Sequence, residues 1–146
     1  MERQNTIGFT ISTLSNLLRR KMFQLTPPPP EREGITAMSG QILGYLCEHA
    51  GSDIYQKDVE EVFCIRRSTA SQFLKSLERS GLLIRRSVPR DARLKLLVPT
   101  SRALALHQQF NQAAQEMEAL LSRGITPEEL ELFLTVAHKI QRNLSG

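Results

Sequence analysis

Apolar residues recur at Ile7, Ile11, Leu14, Leu18, Met22 and Leu25. Steps of three and four predict an amphipathic helix over Thr6 to Leu25. Pro27 to Pro30 must end it, because proline has no amide donor and restricts the residue before it. The proline run is read as a short, stiff connector. A second helix is predicted from near Thr36, through Met38, Ile42, Leu43 and Leu46 to Ala50, with Gly51 as its stop. Ser52 or Asp53 is the expected cap of a third helix, roughly Gln56 to Phe63, with Val59, Val62 and Phe63 inward. After a break at Cys64-Ile65, a fourth helix, roughly Arg67 to Ser80, puts Ala70, Phe73, Leu74 and Leu77 on one face, and Gly81 ends it.

The period then changes. Leu82 to Arg86 and Leu94 to Val98 are short and rich in apolar residues, and the polar loop Ser87 to Arg93 separates them. This predicts a two-stranded hairpin with a basic tip. A fifth helix, about Thr100 to Ser122, carries Ala103, Leu106, Phe110, Ala113, Met117 and Leu120, a heptad-like seam. Thr126-Pro127-Glu128-Glu129 starts a sixth, with threonine as cap, proline in the first turn and acids where the helix dipole favours them. Leu130, Phe133, Leu134, Ala137, Ile140 and Leu144 line it. The expected fold is mainly α with a small β-hairpin wing: a winged helix-turn-helix with helices added at both ends.

Charge sharpens this picture. The net charge is +4, but residues 55–102 alone hold eleven basic and five acidic groups, while 103–146 hold three and five. Between Arg66 and Arg102 ten basic groups face only Glu78 and Asp91. A basic region confined to one third of the chain is the electrostatic footprint of nucleic-acid binding. A helix fits the major groove, and a hairpin beside it reaches the backbone or the adjacent minor groove. With no tryptophan and few aromatics, the core must rest on Leu, Ile, Val and Ala. No apolar run reaches the roughly 20 residues of a membrane span, and the first residues lack signal-peptide order, so a cytoplasmic location is expected. Cys47 and Cys64, both in apolar stretches, read as buried free thiols.

The run Ile54 to Phe63 is similar to the first motif helix of the MarR (multiple antibiotic resistance regulator) family. Arg66 to Leu83 resembles that family's recognition helix and exit, and Pro89-Arg90-Asp91-Ala92-Arg93 contains its D-x-R wing signature. Thr100 stands where the family places a threonine before the long helix. The resemblance covers essentially the whole chain. It implies that Ser68, Thr69, Ser71, Gln72 and Lys75 work in the major groove, with Arg66 and Arg67 at the helix start. Arg93 and Arg90 would work at the wing, where Asp91 orients an arginine; Arg86 is a further candidate contact read from the basic residues around the hairpin. Ser68 also fits a simple cap of the fourth helix, and Asp91 a mere organiser of its turn. Arg85 and Arg86 point to opposite faces of a strand, so a merely solvated role for one of them is the competing expectation. The chain departs from the family at Cys64, where glycine is frequent, at Tyr55, where a capping Ser or Thr is usual, and at Pro99 and Ala103.

The resemblance further implies a homodimer on double-stranded DNA with a pseudo-palindromic operator, and a repressor released by a small-molecule effector. Tyr45, His49 and Phe110 are the candidate lining of the effector pocket. Residues 1–34 form an N-terminal dimerisation helix and connector in this reading, 35–99 the DNA-binding domain and 100–146 the C-terminal dimerisation helices. No cofactor, metal ligand set or catalytic residue is expected: G-x-S-x-G, H-E-x-x-H, the phosphate-binding loop and C-x-x-C do not occur. The competing readings are a winged-helix module that binds protein and a metal-sensing regulator using His49, His107 or His138 with Cys47 or a nearby acid.

Overall fold

The structure, a computed structural model, describes residues 2–25 and 37–146. The predicted proline connector and the predicted start at Thr36 lie outside the described residues. Among the described residues, a 3-10 turn at Arg3–Asn5 is followed by six α-helices and two strands: α1 (Ile7–Leu25), α2 (Ala37–Glu48), α3 (Gln56–Phe63), α4 (Arg67–Arg79), β1 (Leu83–Val88), β2 (Asp91–Pro99), α5 (Ser101–Leu121) and α6 (Pro127–Ser145). They form two compact units, residues 1–113 and 114–146.

In the first unit the core gathers Ile42 and Leu46 of α2, Val59 of α3, Leu74 and Leu77 of α4, Leu82, Leu83, Leu97, and Ala103 and Leu106 of α5. It is an aliphatic core, as the scarcity of aromatics requires. Phe63, Phe73 and Phe110 pack against it from the rim. Val62 is a correction: it points outward and is half exposed, because an eight-residue helix turns only one narrow stripe inward.

Ser52 and Asp53 do not cap α3. Tyr55 occupies the cap position, and the Asp58 carboxylate accepts its N–H at 2.8 Å. The carboxylate three residues into the helix satisfies an amide that the dipole makes electropositive. The helix ends at Cys64, which adopts the left-handed region (φ 53°, ψ 45°). The glycine-type turn geometry is thus kept without glycine. Cys64 is also exposed rather than buried, since the turn projects into solvent. A side chain in that region costs about 1–2 kcal/mol, and glycine's larger unfolded-state entropy returns part of it. Cys64→Gly is therefore expected to stabilise the protein by up to about 1 kcal/mol, read as a higher denaturation midpoint at unchanged slope. A destabilised Cys64→Gly would show that the thiol makes a contact worth more than the strain.

The hairpin is longer than predicted. β1 and β2 pair antiparallel from Leu83↔Pro99 to Ser87↔Lys95, and Val88 then pairs with Asp91, leaving only Pro89-Arg90 as the turn. Proline fixes a negative φ, so the primed turn that matches strand twist is unavailable. The register accordingly breaks between Ser87 and Val88. Thr100 joins the motif to α5: its hydroxyl donates to the Gly81 carbonyl at 2.9 Å and accepts the Ala103 N–H at 3.2 Å. Arg102 donates to the Ser80 carbonyl at 2.8 Å, so this cation braces the end of α4.

In the second unit, α6 starts as predicted. The Thr126 hydroxyl accepts the Glu129 N–H at 3.1 Å, the Glu129 carboxylate accepts the Thr126 N–H at 3.1 Å, and Pro127 opens the helix.

Candidate nucleic-acid interface

α4 is built as a two-faced helix. Ala70, Leu74 and Leu77 are buried. Directly opposite, at steps of four, three and four, Ser68, Gln72, Lys75 and Arg79 form an exposed stripe. Thr69 and Ser71 flank it, half-buried. Arg79, the last member, was missed from sequence because it lies outside the resembling contact set. The i, i+4, i+7, i+11 spacing alone would have found it. Ser68 does not cap the helix; Arg66 holds the cap position in an extended conformation, without a side-chain cap bond.

Arg66 and Arg67 are both exposed at the start of α4, whose first turn holds no acid. Cations there oppose the helix dipole, so this placement costs stability. It also adds their charge to free N–H groups, the arrangement that attracts phosphate. The Gln56 amide donates to the Arg67 carbonyl at 3.3 Å and ties the start of α3 to the start of α4. Gln56 was another position sequence reading passed over.

Both acids of the basic segment are engaged by arginine. Glu78 pairs with the Arg85 Nε, and Arg85 is largely buried against it. Arg85 is therefore the arginine withdrawn from the surface, and Arg86 the one left exposed on the opposite strand face. Asp91 accepts the Arg93 N–H at 2.9 Å, with the Arg93 Nε at 3.6 Å. That backbone bond organises the turn, while the Arg93 side chain itself is 93% exposed. Arg90 at the tip donates to the Tyr55 hydroxyl at 3.4 Å, and Lys95 donates to the Ser87 hydroxyl across the ladder at 2.8 Å. Arg86, Arg90, Arg93 and Lys95 all remain exposed.

The candidate effector residues lie elsewhere in the first unit. Tyr45 and His49, one turn apart on and just after α2, have ring centroids 4.4 Å apart, and Phe63 meets Tyr45 edge-on. The His49 Nδ1 lies 2.9 Å from the Tyr45 carbonyl oxygen. Phe110 packs against the core. The nearby Cys47 thiol is pushed up to about 11 by burial and by the Glu48 charge, which keeps it protonated and unreactive at neutral pH. Among the described residues, no three His, Cys, Asp or Glu side chains gather into a group able to hold a metal ion. No helix among them is long and apolar enough to cross a membrane.

Two helices meeting at a tight turn, the second bearing an outward polar stripe beside an arginine-bearing hairpin, define a winged helix-turn-helix protein. Residues 33–94, somewhat under half of the chain, match the model described as MarR family, so this segment is similar to that family of transcriptional regulators. A MarR-family regulator binds DNA and is not an enzyme. The chain is 27% identical to Staphylococcus aureus MepR in its DNA complex, with a TM-score of 0.80 over 94% of this chain and 98% of that one. The fold is also that of a MarR-family regulator from Listeria monocytogenes complexed with a 26mer DNA: TM-score 0.79, 23% identity, 97% and 90% covered. A Bacillus subtilis protein described as the uncharacterized HTH-type transcriptional regulator YybA is 23% identical over 105 residues, covering 72% of this chain and 70% of its own length.

Proposed function

We propose that this protein binds a pseudo-palindromic double-stranded DNA operator as a homodimer in the cytoplasm, represses transcription there, and is released by a small-molecule effector. One observation carries the reading: the exposed stripe Ser68, Gln72, Lys75 and Arg79 lies on a helix flanked by an arginine-bearing wing, and the two acids of that segment are already paired with arginine. A protein-binding module would present an acidic or apolar face there instead. The DNA-bound state of MepR, the similar protein from S. aureus, supports the same use of the motif.

Ser68, Thr69, Ser71, Gln72 and Lys75 are assigned to the major groove in this reading, Arg66 and Arg67 to phosphates, and Arg86, Arg90, Asp91 and Arg93 to the wing. Dimerisation is supported by apolar residues left in water on α1 and α6, among them Ile7, Ile11, Leu14, Leu130, Phe133 and Leu134. A two-fold dimer places two recognition helices about one DNA turn apart. The Tyr45–His49 ring pair supports an aromatic effector site, and Phe110 is assigned to it in the same reading. The test is selection of bound duplexes from random DNA. A palindrome with half-sites about 10 base pairs apart is expected, and recovery without any shared sequence overturns specific binding.

The wing offers a sharper test. Removing a negative charge by Asp91→Ala should tighten DNA binding if only bulk electrostatics mattered. Because the Asp91 carboxylate accepts the Arg93 N–H and lies 3.6 Å from its Nε, the expected result is the opposite: operator binding about three- to tenfold weaker, the loss of about one hydrogen bond's worth of order. Arg93→Ala, measured across the same salt series, should weaken binding under either view. Tighter binding by Asp91→Ala with an unchanged fold overturns the orienting role.

A further inference from the structure

Arg90 stands at the very tip of the wing, in the two-residue turn Pro89-Arg90. The hairpin behind it is weakened, because the ladder loses register between Ser87 and Val88. A two-stranded ribbon with such a break is marginal by itself. At its base the hairpin is anchored, since the Leu97 N–H donates to the Ile54 carbonyl at 2.8 Å and Tyr55 bridges to Leu96. At its tip the tie is the Arg90 guanidinium, donating to the Tyr55 hydroxyl. Between base and tip lies an open cleft of about 420 Å³, walled by Tyr55, Arg86, Ser87, Arg90 and Leu96, with Asp53 at its side.

Tyr55 is a rigid post. Its N–H is held by the Asp58 carboxylate, its backbone pairs with β2, and its side chain is half-buried. Because Asp58 serves the start of α3, the side chain at position 55 is released from capping and reaches across 35 positions of sequence to the wing. The chemistry of the partner matters too. Glu78 offsets the charge of the Arg85 that it holds. A phenol is neutral, so it fixes the Arg90 guanidinium and leaves its full positive charge, and its other N–H donors, for an anion.

We propose that Tyr55 is a positioning residue of the DNA interface, holding Arg90 so that the wing tip is already set against the α3–α4 motif when DNA arrives. The proposal rests on the DNA-binding reading above. A long arginine side chain loses rotamer freedom when it is immobilised on phosphate, and a prior hydrogen bond removes part of that loss.

The experiment uses the full-length protein and a fluorescein-labelled duplex carrying the selected palindrome, titrated across a salt series. Tyr55→Phe, Arg90→Ala and the double variant are compared. Tyr55→Phe is expected to weaken binding about three- to tenfold with an unchanged salt slope, since no cation is removed. Arg90→Ala is expected to weaken binding at least as much and to lower the slope by about one phosphate contact. The double variant should bind like Arg90→Ala alone, a coupling that general damage to the fold does not produce. Wild-type affinity in Tyr55→Phe, or an equal further loss when it is added to Arg90→Ala, overturns the role of Tyr55. Full affinity in Arg90→Ala overturns it as well, while leaving DNA binding intact. Failure of the wild-type protein to bind any duplex in a salt-dependent way sinks the underlying reading, and the two failures are distinct.

Discussion

Phe133→Glu is expected to convert the protein into a folded monomer. Phe133 sits on α6 with Leu130, Leu134, Ala137 and Ile140, and the residue is 60% exposed in the single chain. A carboxylate at that position stays hydrated in the isolated chain, so folding of the chain should tolerate it. In a two-fold interface it becomes two like charges transferred into an apolar seam. An unpaired charge so buried costs on the order of 3–5 kcal/mol, more than a factor of a hundred in affinity. The apolar arc of α6 is also wider than the stripe read from sequence. Leu132 and Val136 lie off that stripe and are exposed as well, which suits a helix with neighbours on more than one side. Sedimentation or light scattering reads the oligomeric state, and circular dichroism reads the fold. Operator affinity should fall by about 10²–10⁴ as the two half-sites are no longer bound together. A dimer of unchanged strength in Phe133→Glu shows that the α6 face is not the interface.

Gln72→Ala is the second large effect. Gln72 is exposed in the middle of the outward stripe of α4, between Ser68 and Lys75. A glutamine amide pairs in bidentate fashion with the N6 and N7 edge of adenine, a geometry worth about 1–3 kcal/mol of discrimination. The expected result is that much loss on the selected operator and relaxed preference at one position per half-site. Binding to unrelated duplexes should not change, and neither should the salt slope, because the side chain is neutral. Lys75→Ala is the informative contrast: if its ammonium meets phosphate, it lowers the slope by about one contact and weakens all sequences alike. Unchanged affinity and preference in Gln72→Ala rules out a base contact by this side chain and with it the docking assigned to α4.

Much of the scaffold was legible because its signals are local. The Gln56–Phe63 helix, the Thr126 cap and the buried face of α4 all follow from spacing within a turn or two, where backbone geometry alone relates one side chain to the next. The basic character of residues 55–102 is likewise a property of the string. What escaped the string were choices between equivalent local options. Ser52 or Asp53 was the expected cap of α3, but Tyr55, which pairs with Leu96 of β2, takes the cap position, and the Asp58 carboxylate accepts its N–H. Either Arg85 or Arg86 could face water, and the position of Glu78 at the end of α4 decided for Arg86. Arg102 looked like one more surface cation until the fold set it against the Ser80 carbonyl. The sequence by itself therefore determined the elements, their order and the sign of the surface. Only the tertiary structure decided which cations are free and that Tyr55 meets Arg90, because those partners are far apart along the chain and only packing of the core brings them within hydrogen-bonding distance.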